Sequence, residues 1–180
     1  MKFPILDLET TGLTVNPGAI LEVSVTIMDT NFETYEEYTS AVYHGSDYLD
    51  PLLNDWARKT HTESGLLAEC CDFCNTPSLQ RVEHEVINLL NRHFPNEKVT
   101  LVGNSIHFDR KFIDAYMPDL SKNLNYRMLD VSALWEYMRI FHGINRPDNG
   151  PIVHRGLPDT RGSAKLLKQF GQYINVRGSQ

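Results

Sequence analysis

Residues 20–27 alternate with a period of two, and that constrains the fold more than any other feature. In "AILEVSVTIMD", Leu21, Val23, Val25 and Ile27 interleave with Ile20, Glu22, Ser24 and Thr26, a strand pattern rather than a helical one. "FPILDLE" ahead of it and "YEEYTSAVY" after the "TNFET" turn read as two more strands, so an antiparallel meander is expected. Pro4 has no N–H for a ladder, which predicts that the first strand starts at or just after it. The anomaly lies inside that strand. Ile5, Leu6 and Leu8 seek a core, yet Asp7 and Glu9 sit among them.

The remainder mixes helices and strands. Residues 51–74 read as short helices with an irregular turn near "THTESG". After "NTPS", Val82, Val86, Leu89 and Leu90 share one helical stripe. "KVTLVG" reads as a strand, "FDRKFIDAYM" as a helix stopping before Pro118, "NYRMLDV" as the last strand and "SALWEYMRIF" as a helix. "GINRPDNGPIVH" is a loop, and a final helix begins near Pro158 with Leu166, Leu167 and Phe170 inward. With no repeat and no linker, the expectation is one α/β domain over 1–176, built on a mixed sheet flanked by helices, with a disordered tail at 177–180.

The net charge of −6, from 17 basic and 23 acidic residues, argues against a coat for long nucleic acid but leaves room for a small nucleic-acid substrate in a local pocket. No apolar run approaches the ~20 residues of a membrane span, and no basic-then-apolar leader opens the chain, which predicts a soluble cytoplasmic protein. The three cysteines, Cys70, Cys71 and Cys74 in "ECCDFC", make a poor disulfide framework and fit reduced thiols. Flanked by His61 and His84 they raise the idea of a zinc knuckle, but a second ligand pair at standard spacing is missing.

Residues i and i+2 of a strand point to the same face, so Asp7 and Glu9 project together. Two carboxylates held that close repel and raise at least one pKa unless a cation sits between them. Oxygen-only ligands suit a hard ion such as Mg²⁺ or Mn²⁺. An isolated D-x-E is more simply a strand end meeting water. Asp109 alone would be an acid favoured by a helix N-terminus, and Asp159 and His154 alone would be a first-turn acid and a loop histidine.

The ordered set is what carries information. "DLETTGL", "GNSIHFDRKF" and "HRGLPD" resemble the three motifs of the DEDDh 3′→5′ exonucleases, which have a ribonuclease-H-like fold. "DWARKTHTESGL" and "YRMLDVSAL" narrow the resemblance to the oligoribonuclease family, which reduces very short RNAs, down to dinucleotides, to mononucleotides. It covers about residues 4 to 174 and is weakest across 30–50, 70–80 and 141–152.

The resemblance implies two divalent cations, Mg²⁺ or Mn²⁺, held by Asp7, Glu9, Asp109 and Asp159, with Asp7 bridging, Glu9 and Asp159 completing one site and Asp109 the other. Two metals about 4 Å apart can hold the attacking and departing oxygens of a phosphodiester. It makes His154 the base that takes a proton from water, a role to which an imidazole is suited. It puts Leu13 between the two bases, Trp56 and His61 beside the substrate, and Ser105 with Tyr126 and Arg127 on the 5′-phosphate. Tyr126 and Arg127 would come from the partner subunit of a homodimer.

Around the third motif, Gly162 within a helix departs from good helix formers and costs up to ~1 kcal/mol relative to alanine. The three motifs alone do not exclude a DEDDh exonuclease for longer single-stranded DNA or RNA ends; the non-enzyme alternative is a silent scaffold of the same fold, against which all five catalytic positions are filled. A zinc-binding adaptor built on "CCDFC" is a further alternative.

Overall fold

A computed structural model describes residues 1–145 and 154–177, with side chains through 173. The three predicted N-terminal strands form as a meander: β1 (Lys2–Thr10), β2 (Ile20–Asp29) and β3 (Thr34–Ala41). Short helices α1 (Ser46–Leu49), α2 (Asp55–Glu63) and α3 (Leu66–Cys70) follow, then α4 (Leu79–His93) and β4 (Val99–Gly103). The chain continues through α5 (His107–Tyr116), α6 (Pro118–Asn123), β5 (Leu124–Asp130), α7 (Val131–His142) and α8 (Gly156–Arg177). The sheet order is β3-β2-β1-β4-β5, with β4 and β5 parallel to β1.

Two expectations need correction and two are sharpened. β1 begins at Lys2 rather than at Pro4; Pro4 lies ahead of Ile5, where the pairing with β4 is made, so its missing N–H falls where only β2 flanks the strand. The "THTE" segment belongs to α2, and the turn comes at Ser64 and Gly65, whose φ of +79° suits glycine. Pro118 ends one helix by starting another, since proline is tolerated in a first helical turn. Arg177, expected in a disordered tail, instead ends α8, while 178–180 and most of the 141–152 loop lie outside the described residues.

Both sheet faces are covered. Leu6 and Leu8 of β1, with Val23, Val25 and Ile27 of β2, pack against Val82, Val86, Leu89 and Leu90 of α4 and Phe112 and Ile113 of α5. Ile5, Met28 and Val102 on the other face meet Val131 and Met138 of α7 and Ala164, Leu166 and Phe170 of α8.

The second face explains why β2 looks half-solvated in sequence but is not. Glu22, Ser24 and Thr26 are all buried, because α8 lies over them. Burying polar groups costs free energy unless they are hydrogen-bonded. Here the Thr26 and Thr160 hydroxyls meet at 2.8 Å, and those of Ser24 and Thr39 at 2.7 Å. The polar half of the alternation is therefore a seat for α8, and it fixes where Asp159 arrives.

Candidate active site

The register Asp7↔Ser24 and Glu9↔Glu22 sets both acids on the α8 face of β1. A bulge after Glu9 ends the regular ladder. The neighbouring parallel strand β4 then delivers α5 to the same end of the sheet, with Asp109 in its first turn. One Asp109 carboxylate oxygen accepts the Leu8 N–H at 2.8 Å, tying the second motif to the first. Asp159 enters from the first turn of α8, locked by its neighbour Thr160 against Thr26. His154 precedes α8 with a φ of +52°.

One ligand atom each from Glu9, His154 and Asp159 lies within 4.8 Å of the others, close enough to share one cation. The electrostatics carry the same message. Burial, then the charges of Asp109, Glu9, Asp159 and Glu22, push the Asp7 carboxyl well above the usual carboxylate range. Glu9 is pushed up to about 8 by burial and by Asp159, Glu22 and Asp109. Burial pushes Asp109 up to about 7 against the opposing Leu8 N–H, and Asp159 is also raised by burial. Four crowded carboxylates, Glu9 buried and Asp7, Asp109 and Asp159 half-buried, fit divalent cations with oxygen ligands, and the donor set suits Mg²⁺ or Mn²⁺ better than a softer ion.

An exonuclease family model (RNase_T) matches residues 5–167. The oligoribonuclease of Corynebacterium diphtheriae is 38% identical over 169 residues, spanning 92% of this chain and 79% of its own. The chain belongs to the oligoribonuclease family. The mitochondrial oligoribonuclease of Homo sapiens is 32% identical over 94% of this chain and 71% of its own length. Among solved structures, Escherichia coli exonuclease I with a 5cy-dT13 oligonucleotide superposes with a TM-score of 0.69 at 15% identity, over 97% of this chain and 43% of that one. That likeness shows the fold, a ribonuclease-H-like sheet with flanking helices.

The rest of this oligoribonuclease's site is its rim. A cleft of about 170 Å³ runs from Asp7 and Asp109 past Gly12 and Leu13 to Asn104 and Ser105. Leu13 is 75% exposed and Trp56 57% exposed. Asn54 joins them: its side chain caps α2 through the Ala57 N–H at 2.8 Å, and any Cβ at Gly12 would lie 2.6 Å from its amide. Trp56 meets the His154 ring edge-to-face at 5.0 Å. His61 lies beneath Trp56 with no exposed surface. Its Nε2 donates to the Thr10 carbonyl at 3.1 Å and sits 3.8 Å from a Glu9 oxygen. The structure thus sets His61 under the strand end rather than in the cleft.

Ser105 has a φ of +55° and is fixed by Asp130, which accepts the N–H groups of both Ser105 (3.0 Å) and Ser132 (2.9 Å). Tyr126 and Arg127 stand apart from this cleft's lining, on the exposed edge strand β5, with the guanidinium 4.9 Å over the tyrosine ring.

Sequence reasoning passed over Glu22, Asp130, Ser132 and Arg155. Ser132 bonds the Ser105 hydroxyl at 2.9 Å and the Asn104 amide oxygen at 2.8 Å, so it belongs to the same corner. Its available signal was "LDVS", an N-cap acid followed by serine at a helix start. The cysteines form no cluster with a third ligand among the described residues. The Cys70 thiol is buried, donates to the Leu21 carbonyl at 3.4 Å and is pushed up to about 12 by burial; Cys71 and Cys74 are exposed.

Proposed function

We propose that this oligoribonuclease removes 5′-mononucleotides from the 3′ end of very short RNAs, with 5′-phosphorylated dinucleotides as its preferred substrates. The observation carrying this reading is the convergence of Asp7, Glu9, Asp109 and Asp159 at one strand end with His154 beside them. The four carboxylates would hold two divalent cations, Mg²⁺ or Mn²⁺. When bound, such ions polarise the scissile phosphate and stabilise charge on its attacking and departing oxygens.

The protein's own residues do the rest. His154 takes a proton from the attacking water, whose oxygen bonds to phosphorus as the bond to the preceding nucleotide's O3′ breaks. Leu13 inserts between the two bases, and Trp56 stacks on one of them while His61 supports it from below. Ser105 binds the 5′-phosphate. Tyr126 and Arg127 of a second copy complete that cap, a guanidinium being suited to bidentate phosphate contact.

An exposed stripe on α7 (Tyr137, 51%; Ile140, 61%; Phe141, 69%), with Tyr126 on β5, supports the homodimer, since helical neighbours at this spacing form one apolar face. No helix among the described residues is long and apolar enough to cross a membrane. The reading puts the protein in the cytoplasm, with the RNA fragments it would consume.

The test is a time course on 5′-phosphorylated RNAs of two, three, seven and twenty residues with Mn²⁺, with an Asp109→Ala protein in parallel. Fastest loss of the dinucleotide and a dead variant are expected. If the twenty-residue RNA disappears first while the dinucleotide persists, the phosphate cap is wrong and the longer-substrate exonuclease stands instead.

A further inference from the structure

A fifth acid lies against the four. Glu22 is the cross-strand partner of Glu9 and is only 2% exposed, yet its oxygens are already committed. Oε1 accepts Nε and Nη2 of Arg155 at 3.0 and 2.9 Å, and Oε2 accepts the Gly156 N–H at 2.7 Å. The same guanidinium reaches Glu69 of α3 at 2.8 and 3.1 Å and the Ser64 carbonyl at 3.3 Å. Arg155 therefore joins β2, the α2–α3 turn and the entry to α8. The next residue must be glycine: a Cβ at Gly156 would lie 2.1 Å from the Ser24 hydroxyl oxygen. The chain is pinned at two successive residues, and the residue just before them is His154 in its left-handed turn.

We propose that Arg155, clamped between Glu22 and Glu69, is the positioning residue that holds the His154 imidazole against Trp56 and beside Glu9 and Asp159. A planar fork anchored on two carboxylates fixes direction as well as distance, which a lysine cannot reproduce. The inference rests on reading His154 as the base, where a 1 Å displacement can cost about 100-fold in rate.

Arg155→Lys keeps the charge beside buried Glu22 but loses the fork. Glu69→Gln alters the exposed anchor (47% exposed) and leaves no buried charge unpaired, so it folds even if Arg155→Lys does not. Both are expected to lower kcat, about tenfold to a hundredfold for Arg155→Lys and less for Glu69→Gln, with KM and Mn²⁺ affinity within about twofold of the parent.

A second readout does not depend on turnover. In a Trp135→Phe background, Trp56 is the sole indole, and the His154 ring 5.0 Å away is expected to quench it by contact. Arg155→Lys should shift Trp56 emission most of the way to that of His154→Ala, although the histidine is still present. The kcat loss should vanish when Arg155→Lys is added to His154→Ala, because the two act through one group.

Unchanged Trp56 emission, or an equal kcat loss in the His154→Ala background, would overturn the positioning role. If His154→Ala itself keeps full activity, the base assignment fails, and the emission comparison still decides whether Arg155 seats the ring.

Discussion

The floor and the rim of the site are built on opposite terms. On the floor, Asp7, Glu9, Asp109 and Asp159 are drawn out of water by β1, α5 and α8, and each carboxyl is raised by burial. On the rim, Leu13 and Trp56 are 75% and 57% exposed, large apolar side chains left mostly in solvent. The floor thus spends folding energy on held charge, and the rim leaves apolar surface uncovered until something binds. Substitutions should separate the two: floor changes abolish turnover and stabilise the metal-free protein, whereas rim changes alter substrate use and leave the fold alone.

The largest effect is expected at Asp7. Asp7→Asn should lower kcat on the order of 10³-fold or more, since it removes one of the carboxylates that would hold the cations at the reacting phosphate. The same change relieves repulsion from Asp109, Glu9 and Asp159, so the melting temperature in EDTA should rise. Each kcal/mol gained is worth roughly 2–4 °C at this size. A fall in the EDTA melting temperature would show that the floor is not strained by its own charge.

Arg127→Ala should come next, with kcat/KM for a 5′-phosphorylated dinucleotide down about 10–100-fold, the worth of a charge-assisted phosphate contact of ~1.5–3 kcal/mol. The 5′-hydroxyl dinucleotide should be unaffected. Mixing Arg127→Ala with Asp109→Ala protein should restore activity, because one site of the mixed dimer then has its own Asp109 and its partner's arginine. No recovery after subunit exchange would place the cap within a single chain.

The third effect is on pH. Glu9 at about 8, Asp109 at about 7 and the raised Asp7 all bind protons more tightly folded than unfolded. Their contribution is fully present below the unfolded carboxylate values near 4 and is lost as pH rises through 7 to 8. The melting temperature in EDTA should therefore fall between pH 6 and pH 9. Saturating Mn²⁺ should flatten or reverse that slope, because the cation takes the place of the protons.

The floor was legible in the sequence because its chemistry needs given residue types at fixed offsets. Asp7 and Glu9 share a strand face at i and i+2, and Asp109 and Asp159 open helices at loop junctions. The clamp behind it was not legible. Glu22 looked like the solvated half of an alternating strand, and only the packing of α8 across β2 reveals it as a buried anchor for Arg155. His61 shows the same gap from the other side. The resemblance implied a residue beside the substrate, and its burial under Trp56 depends on where α2 lands.

The smallest effect should be at Leu13, and it tests the comparison from the rim. Its side chain is mostly in water, so Leu13→Ala should leave the melting temperature within the ~0.5 kcal/mol typical of surface changes. If the leucine wedges between the bases only when substrate is bound, its contact is made equally before and during reaction. Such uniform binding energy appears in KM and leaves kcat alone. A buried leucine is worth ~1.5–3 kcal/mol, of which a wedge held on two sides realises a part, so KM for a dinucleotide should rise about fivefold. A fall in kcat with KM unchanged would instead mean that Leu13 orients the scissile phosphate over the carboxylates, making it part of the floor despite its exposure.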